Sequence, residues 1–238
     1  MAIRDWVLLP SKWINDGGLK ALSWRNGGEG ADHIAALMDL TVIAHATDLD
    51  TGVARVTYDD FCEATLLSRA KVSKGLDVLE RIQVVEREPN GARSIYKLAN
   101  YDISGGWAKF PGKNMYSSGT IAAFTDFQLR RVAELDALKL FFLMVARRDR
   151  RTNIANIGYD KIEEYTDIRR VRIKTAISFM ASRSLVYVER IPSRVSSDGV
   201  SNSYRVVGVE SNSHMGTQGR RLDGIDFDAS GERQSDDS

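Results

Sequence analysis

The sequence predicts an α+β fold that is mainly α with small β-sheets, and three observations predict it. Apolar residues recur at helical spacing in several segments and alternate in others. The pattern at residues 57–85 returns 101 residues later without a gap, so the fold is expected to be duplicated. The composition, with 43% hydrophobic and 27% charged residues, is typical of a globular protein. We therefore expect domains at residues 1–101 and 102–208, named here the first and second units, followed by a disordered acidic tail at 209–238.

Each unit begins with the same short pattern, W-x-x-x-P-x-K. It occurs as DWVLLPSK at residues 5–12 and as GWAKFPGK at residues 106–113. Proline cannot donate to a strand ladder, so we expect a short extended segment that ends at the proline. Turns are expected next, at Gly17-Gly18 and at Ser118-Gly119. The shared pattern extends the repeat well upstream of the helices and predicts that the whole unit is duplicated.

A helix is expected next in each unit. In the first unit it should run from Ala31 to Thr47, after a glycine-rich connection, and in the second from Thr125 to Arg148. Apolar residues nearly encircle the second of these helices between Leu140 and Val145, which predicts burial on two sides. A contact between domains or within a dimer is our hypothesis for the second side. The cationic run at 147–151 is expected to be a solvated helix end that could also touch phosphate.

Two further helices follow in each unit. Thr57 precedes an acidic first turn and is a predicted N-cap for the second helix. That helix is expected to end near Thr65 or Thr166, and the third helix to begin near Ser68 or Arg169. In the first unit the core face of the third helix comprises Val72, Leu76, Leu79 and Ile82.

The third helix is followed by a predicted strand, turn and strand. The first unit has VVEREPNGARSIYKL, in which Asn90-Gly91 is a strong hairpin signal. In the second unit Tyr204 lies 108 residues after Tyr96, so its loop is seven residues longer than the repeat requires.

The residues from Phe61 to Val85 follow the pattern F-x-x-A-T-x-L-S-R-x-x-V-x-x-x-L-x-x-L-x(4)-V-V. This pattern resembles the winged helix-turn-helix of bacterial regulators of the multiple-antibiotic-resistance-repressor and gluconate-repressor types. The resemblance covers most of residues 57–98 and their copy. It implies two tandem winged helix-turn-helix domains, in which the third helix enters the DNA major groove and the hairpin, or wing, lies along the backbone or minor groove.

Basic and hydroxyl residues cluster at the N-terminal end of each third helix, away from its apolar face. Arginine can donate two hydrogen bonds to guanine, whereas lysine mostly neutralises phosphate. The second unit has more arginines and the longer wing, so it is the better candidate for base reading. The predicted DNA-binding residues are Ser68, Arg69, Lys71, Ser73, Lys74 and Arg93 in the first unit, and Arg169, Arg170, Arg172, Lys174, Thr175 and Arg194 in the second. The wings also offer Arg87, Lys97, Arg190 and Arg205 as phosphate contacts.

The predicted function is sequence-specific binding of double-stranded DNA, with a transcriptional regulator favoured. Paired winged helices also resemble plasmid and phage replication initiators, and this alternative stays open. A protein-interaction scaffold similar to the kleisin-binding type is the alternative of another class. We expect no enzyme activity, cofactor or metal, because no Ser, His and acid arrangement can be argued and the histidines and the one cysteine, Cys62, lack metal-site spacing.

Charge is distributed unevenly along the chain. Residues 208–238 contain seven acidic residues and three arginines, a net of −4, which leaves +5 of the total of +1 on residues 1–207. The chain has no signal-peptide pattern or membrane-length apolar run, and its single cysteine fits a reducing compartment. We expect a protein of the bacterial cytoplasm or nucleoid. A homodimer, and a protein partner bound through residues 222–228 of the tail, are further hypotheses.

Overall fold

The structure is a computed structural model that describes residues 3–24, 29–90, 93–102, 106–149, 151–192 and 200–209. The predicted acidic tail lies outside the described residues from position 210 onward. The described chain is an α+β protein of helices and small antiparallel sheets.

The first unit contains a short entry segment, three main helices and a three-stranded sheet in the order β2-β4-β3. Its elements are β1 (Trp6–Pro10), α1 (Lys12–Asn15), a 3-10 turn (Gly18–Ala21), α2 (Glu29–Ala46), β2 (Val53–Val56), α3 (Tyr58–Thr65), α4 (Arg69–Arg81), β3 (Val85–Asn90) and β4 (Arg93–Leu98).

From its long helix onward the second unit repeats this order, and its three-stranded sheet has the equivalent order β8-β10-β9. Its elements are β5 (Trp107–Pro111), a 3-10 turn (Lys113–Met115), β6 (Tyr116–Ser117), β7 (Thr120–Ile121), a 3-10 turn (Ala122–Phe124), α5 (Val132–Arg147), β8 (Ile154–Ala155), α6 (Tyr159–Thr166), α7 (Arg170–Ser182), β9 (Val186–Pro192) and β10 (Val200–Val206). The helices α6 and α7 begin and end 101 residues after α3 and α4, as the repeat predicts.

Capping fixes the ends of α3 and the start of α4. The hydroxyl of Thr57 accepts from the Asp60 N–H, and the Asp60 carboxylate accepts from the Thr57 N–H, which is a capping box. The helix ends at Thr65 because Leu66 is left-handed, with φ of 60°. Ser68 then caps α4 by accepting from the N–H of Lys71. The helix ends predicted at Thr65 and Thr166 are confirmed.

The predicted start of the helix at Thr125 is wrong, because α5 begins at Val132. The Glu134 carboxylate accepts from the backbone N–H groups of Gln128, Arg130 and Arg131, which holds the preceding chain in a non-helical path. Leu129 lies in the left-handed region with φ of 58°, which also interrupts a helix.

The predicted solvated end of this helix is also wrong at Arg148. Its side chain is buried and its guanidinium donates to the Lys109 carbonyl at 3.1 Å. The guanidinium of Arg147 lies 4.2 Å from the centre of the Tyr165 ring. Both cations therefore pack on the protein.

The helices α2 and α5 form the centre of one continuous core. Each packs against the last helix of its own unit, and they also pack against each other. The second buried side of α5 is therefore filled by α2 of the same chain. Gly75 lets α4 approach α2 closely, since a Cβ there would overlap the Asp39 carboxylate and lie 2.8 Å from the Ala35 carbonyl carbon.

The segments that precede α2 and α5 make contacts with the other unit. Strand β1 pairs with β5 in an antiparallel ladder. The 3-10 turn Gly18–Ala21 packs against α6 of the second unit, and β7 packs against α3 of the first. Each unit is thus completed by a segment that belongs to the other.

Candidate nucleic-acid interface

The helices α4 and α7 place their apolar faces in the core and their N-terminal ends at the surface. Val72, Leu76 and Leu79 of α4 are buried, and Ile173, Ile177 and Met180 are buried on α7. The predicted DNA-binding residues all lie at or before the first half of these helices, except for the two wing arginines.

In the first unit, three of the six predicted residues have protein partners among the described residues. The hydroxyl of Ser68 is the N-cap of α4. Arg69 forms an exposed ion pair with Asp59 at 2.6 Å, and Lys71 forms a partly buried one with Asp32 at 2.6 Å. Ser73 is half-buried.

Lys74 is exposed and forms no ion pair within the described part of the chain. Among Arg69, Lys71 and Lys74, it is therefore the one without an ion-pair partner in the described residues.

In the second unit, Arg170 forms an exposed ion pair with Asp160, at positions equivalent to Arg69 and Asp59. The position of Arg172 away from the apolar face predicted an exposed side chain, but the side chain is half-buried. Its Nε lies 3.0 Å from Oδ2 of Asp136, a residue of α5 whose side chain is 3% exposed. Arg172 therefore neutralises a buried carboxylate.

Burial and the neighbouring cations shift the pKa of Asp136 in opposite directions. Burial raises the pKa of Asp136 to about 6, and the cations Arg172 and Lys139 act against this rise. Burial lowers the pKa of Lys139 to about 8, while Asp136 opposes that change. Removing Arg172 would leave this carboxylate with much less compensation, so the residue supports the fold of α7 on α5.

Three predicted residues of the second unit remain open to a ligand. Arg169, Lys174 and Thr175 are exposed, and none makes an ion pair or side-chain hydrogen bond within the residues that the structure describes. They surround Val171, which is 84% exposed. The sequence interpretation did not single out Val171. It lies two residues before the first buried residue, Ile173, which is roughly 200° around the helix, and this position could have identified it as exposed.

The wing arginines have different surroundings from those expected. Arg93 begins β4, and its side chain is not among the described ones; Arg194 lies outside the described residues. Arg87 binds Asp77 at 3.0 Å and Glu80 at 2.7 Å, both on α4. Arg205 binds Glu189 at 2.7 Å and the Thr152 carbonyl. Arg87 and Arg205 were expected to contact phosphate, but these ion pairs direct them to the protein.

The groove between helix and wing differs between the units. In the first unit the Arg87 and Asp77 pair spans it. In the second unit the positions 101 residues later are Val188 and Ser178, so no such pair can form. Val188 is 41% exposed and its neighbour Tyr187 is 58% exposed. The second unit thus has a partly apolar surface here, beside cations of α7 that form no ion pair among the described residues.

The described residues contain no group of three or more His, Cys, Asp or Glu side chains that could hold a metal. Cys62 is half-buried on α3, and burial raises the pKa of its thiol. Within the same part of the chain, every helix is too short or too polar to cross a membrane.

Comparison with known proteins finds no family model and no curated protein that matches this chain.

Proposed function

We propose that this chain is a tandem winged helix-turn-helix protein that binds double-stranded DNA sequence-specifically and without catalysis. One observation carries the proposal. Each unit has the order helix, strand, helix, helix, strand, strand, and each presents the N-terminal half of its last helix at the surface with exposed cations. A helix of this kind fits the major groove, and a hairpin beside it reaches the backbone.

The residues have different proposed roles. We assign contacts with phosphates or guanine to Arg169 and Lys174 of the second unit and to Lys74 of the first, because these exposed cations have no ion-pair partner among the described residues. Val171 is suited to contact a thymine methyl group. Thr175 can donate to or accept from a base or a phosphate.

Arg69 and Arg170 are also proposed to take part in binding. Their ion pairs with Asp59 and Asp160 are exposed. Exposed pairs contribute only about 0–1 kcal/mol, so a phosphate can replace the aspartate at small cost. Ser68, Lys71 and Arg172 are proposed instead to hold the helices in position for binding.

Titration of random-sequence duplex DNA at several salt concentrations tests DNA binding itself. Each phosphate that the protein neutralises adds roughly 0.9 to the slope of log affinity against log salt. We expect steep weakening with salt, because several exposed cations line the two helices. An affinity that does not depend on salt would refute the proposal.

We propose a transcriptional regulator of the bacterial cytoplasm or nucleoid as the biological role. A replication initiator is the second candidate, because two readers fixed in one chain need no dimer to bind each member of an array of repeats. Mapping the bound sites on genomic DNA distinguishes them. Single sites at promoters support the regulator, and clustered repeats at an origin support the initiator.

One observation favours a protein-interaction scaffold instead. Val171, Tyr187 and Val188 are exposed apolar residues on the same helix and wing of the second unit. Such residues also occur at protein interfaces. Absence of salt-dependent DNA binding would favour this alternative.

A further inference from the structure

The ladder between β1 and β5 is symmetric under exchange of the two units. Trp6 pairs with Pro111, Leu8 with Lys109, and Pro10 with Trp107. When each residue is replaced by its counterpart 101 positions away, the first pair becomes the last pair, Trp107 with Pro10. The middle pair, Leu8 with Lys109, is unchanged. A ladder with this property has a two-fold axis through its middle pair. The two units are therefore related by rotation, and a simple translation cannot produce this pairing.

The other contacts between the units follow the same symmetry. The segment Gly18–Ala21 packs against α6, while β7, its counterpart, packs against α3. The β7 contact also includes a hydrogen bond without a counterpart, because the Thr120 hydroxyl donates to the Glu63 carbonyl at 2.9 Å and the residue equivalent to Thr120 is Leu19. The rings of Trp6 and Trp107, which are counterparts, stack at 6.4 Å with an angle of 10°. The central contact, between α2 and α5, is also between counterparts.

Buried polar contacts hold this arrangement. Nε2 of His45 lies 2.7 Å from the Pro111 carbonyl, and Nδ1 lies 2.8 Å from the Tyr116 hydroxyl. A carbonyl can only accept, so Nε2 carries the proton and Tyr116 donates to Nδ1. The ammonium of Lys139 donates to the Leu22 carbonyl across the same interface. The relative orientation of α4 and α7 is therefore fixed by the fold.

We infer that the DNA site of this chain is an inverted repeat, with one half-site for α4 and the other for α7. This inference rests on the proposed DNA binding. B-DNA has two-fold axes perpendicular to its own axis, and these relate sequences that read alike on opposite strands. Two readers related by a two-fold axis can bind one duplex equivalently only about such an axis. A direct repeat would require two readers related by translation along the duplex.

The two half-sites are expected to differ in sequence, because the surface residues of the two readers differ. The differing positions lie 101 residues apart in the chain, at the front of the last helix and on the adjoining wing strand. They include Ser68 and Arg169, Ala70 and Val171, Ser73 and Lys174, Lys74 and Thr175, Asp77 and Ser178, and Arg87 and Val188. The chain therefore binds an imperfect palindrome in one orientation.

The test begins with selection of bound duplexes from a random pool by the full chain. Three duplexes are then compared by titration: the selected site, the same site with one half-site reversed in place, and the same site with that half-site scrambled. We expect two unequal half-sites in inverted orientation, centred about 10 bp or a multiple of it apart. Reversal should weaken binding at least about tenfold, as much as scrambling does.

The outcomes separate this inference from the proposed function. Tight binding to a direct repeat, or protection of one half-site only per chain, overturns the inverted repeat and leaves DNA binding intact. Absence of salt-dependent binding to every duplex overturns both. The assignment of readers is checked with exposed variants. Thr175→Ala should change base preference in one half-site and Lys74→Ala should affect only the other.

Discussion

Replacement of Arg172 by alanine tests whether this predicted DNA contact supports the fold. The guanidinium lies 3.0 Å from a carboxylate that is 3% exposed, while its own side chain is 33% exposed. Breaking a fully buried pair costs about 3–5 kcal/mol, and partial exposure of the arginine reduces this to about 1–2 kcal/mol. For a chain of this size each kcal/mol lowers Tm by roughly 2–4 °C.

The cost should depend on pH. The pKa of Asp136 is already raised to about 6, and loss of Arg172 raises it further. A carboxyl group with a raised pKa in the folded state contributes stability at low pH and loses it as pH rises through that pKa. The deficit of Arg172→Ala relative to the parent should therefore be small at pH 5 and large at pH 8.

Thermal unfolding followed by circular dichroism at pH 5 and pH 8 measures this. Arg170→Ala is the matched control, because its partner Asp160 is exposed and we expect a change within about 0.5 kcal/mol. The double variant Arg172→Ala, Asp136→Asn should recover most of the lost stability at pH 8. If Arg172→Ala is as stable as the parent at pH 8, the ion pair does not support the fold.

Three other changes have expected outcomes. Asp39→Asn should gain stability over the parent as pH rises above 3.8, because burial raises the pKa of the Asp39 carboxyl group, whose oxygens have no hydrogen-bond partner among the described residues. Urea unfolding across pH should show a gain of about 1.4 kcal/mol per pH unit up to the folded-state pKa. Gly75→Ala should destabilise the protein by about 1–3 kcal/mol, since overlap of the new methyl group with α2 outweighs the roughly 1 kcal/mol of helix propensity gained. An unchanged midpoint of urea unfolding would contradict the close approach of α4 to α2. Burial lowers the pKa of His45 to about 4, so the free energy of unfolding of the parent should fall by up to about 3 kcal/mol as pH falls from 6.5 to 4. The variant His45→Gln should lack this dependence. Parallel profiles of unfolding free energy against pH for the two proteins would be evidence against it.

The sequence predicted the helix ends where the signals are local. Thr57 and Asp60 are three residues apart and form their capping box without help from the rest of the chain. The repeat then placed α6 and α7 in the second unit. The start of α5 was missed because Glu134 stabilises a non-helical path several residues before it.

The positions of the candidate site residues could be predicted, but their partners could not. Arg172 meets Asp136 on α5, and Arg87 meets Asp77 on α4. Both pairs depend on how separate elements pack, and helix periodicity carries no information about this packing. The pairing of β1 with β5 could not be predicted for the same reason. The duplicated W-x-x-x-P pattern predicted two extended segments, and only their three-dimensional arrangement makes them partners.

The most direct test of the central claim compares the salt dependence of binding to a selected duplex for the parent, Lys174→Ala and Lys20→Ala. Lys174 is an exposed cation at the front of α7, whereas Lys20 is an exposed lysine of the 3-10 turn, so the two variants lose the same charge at different places. We predict that Lys174→Ala weakens binding and lowers the log-log salt slope by about 1, while Lys20→Ala leaves both close to the parent values. Equal effects of the two variants, or affinities that do not change with salt, would contradict the account.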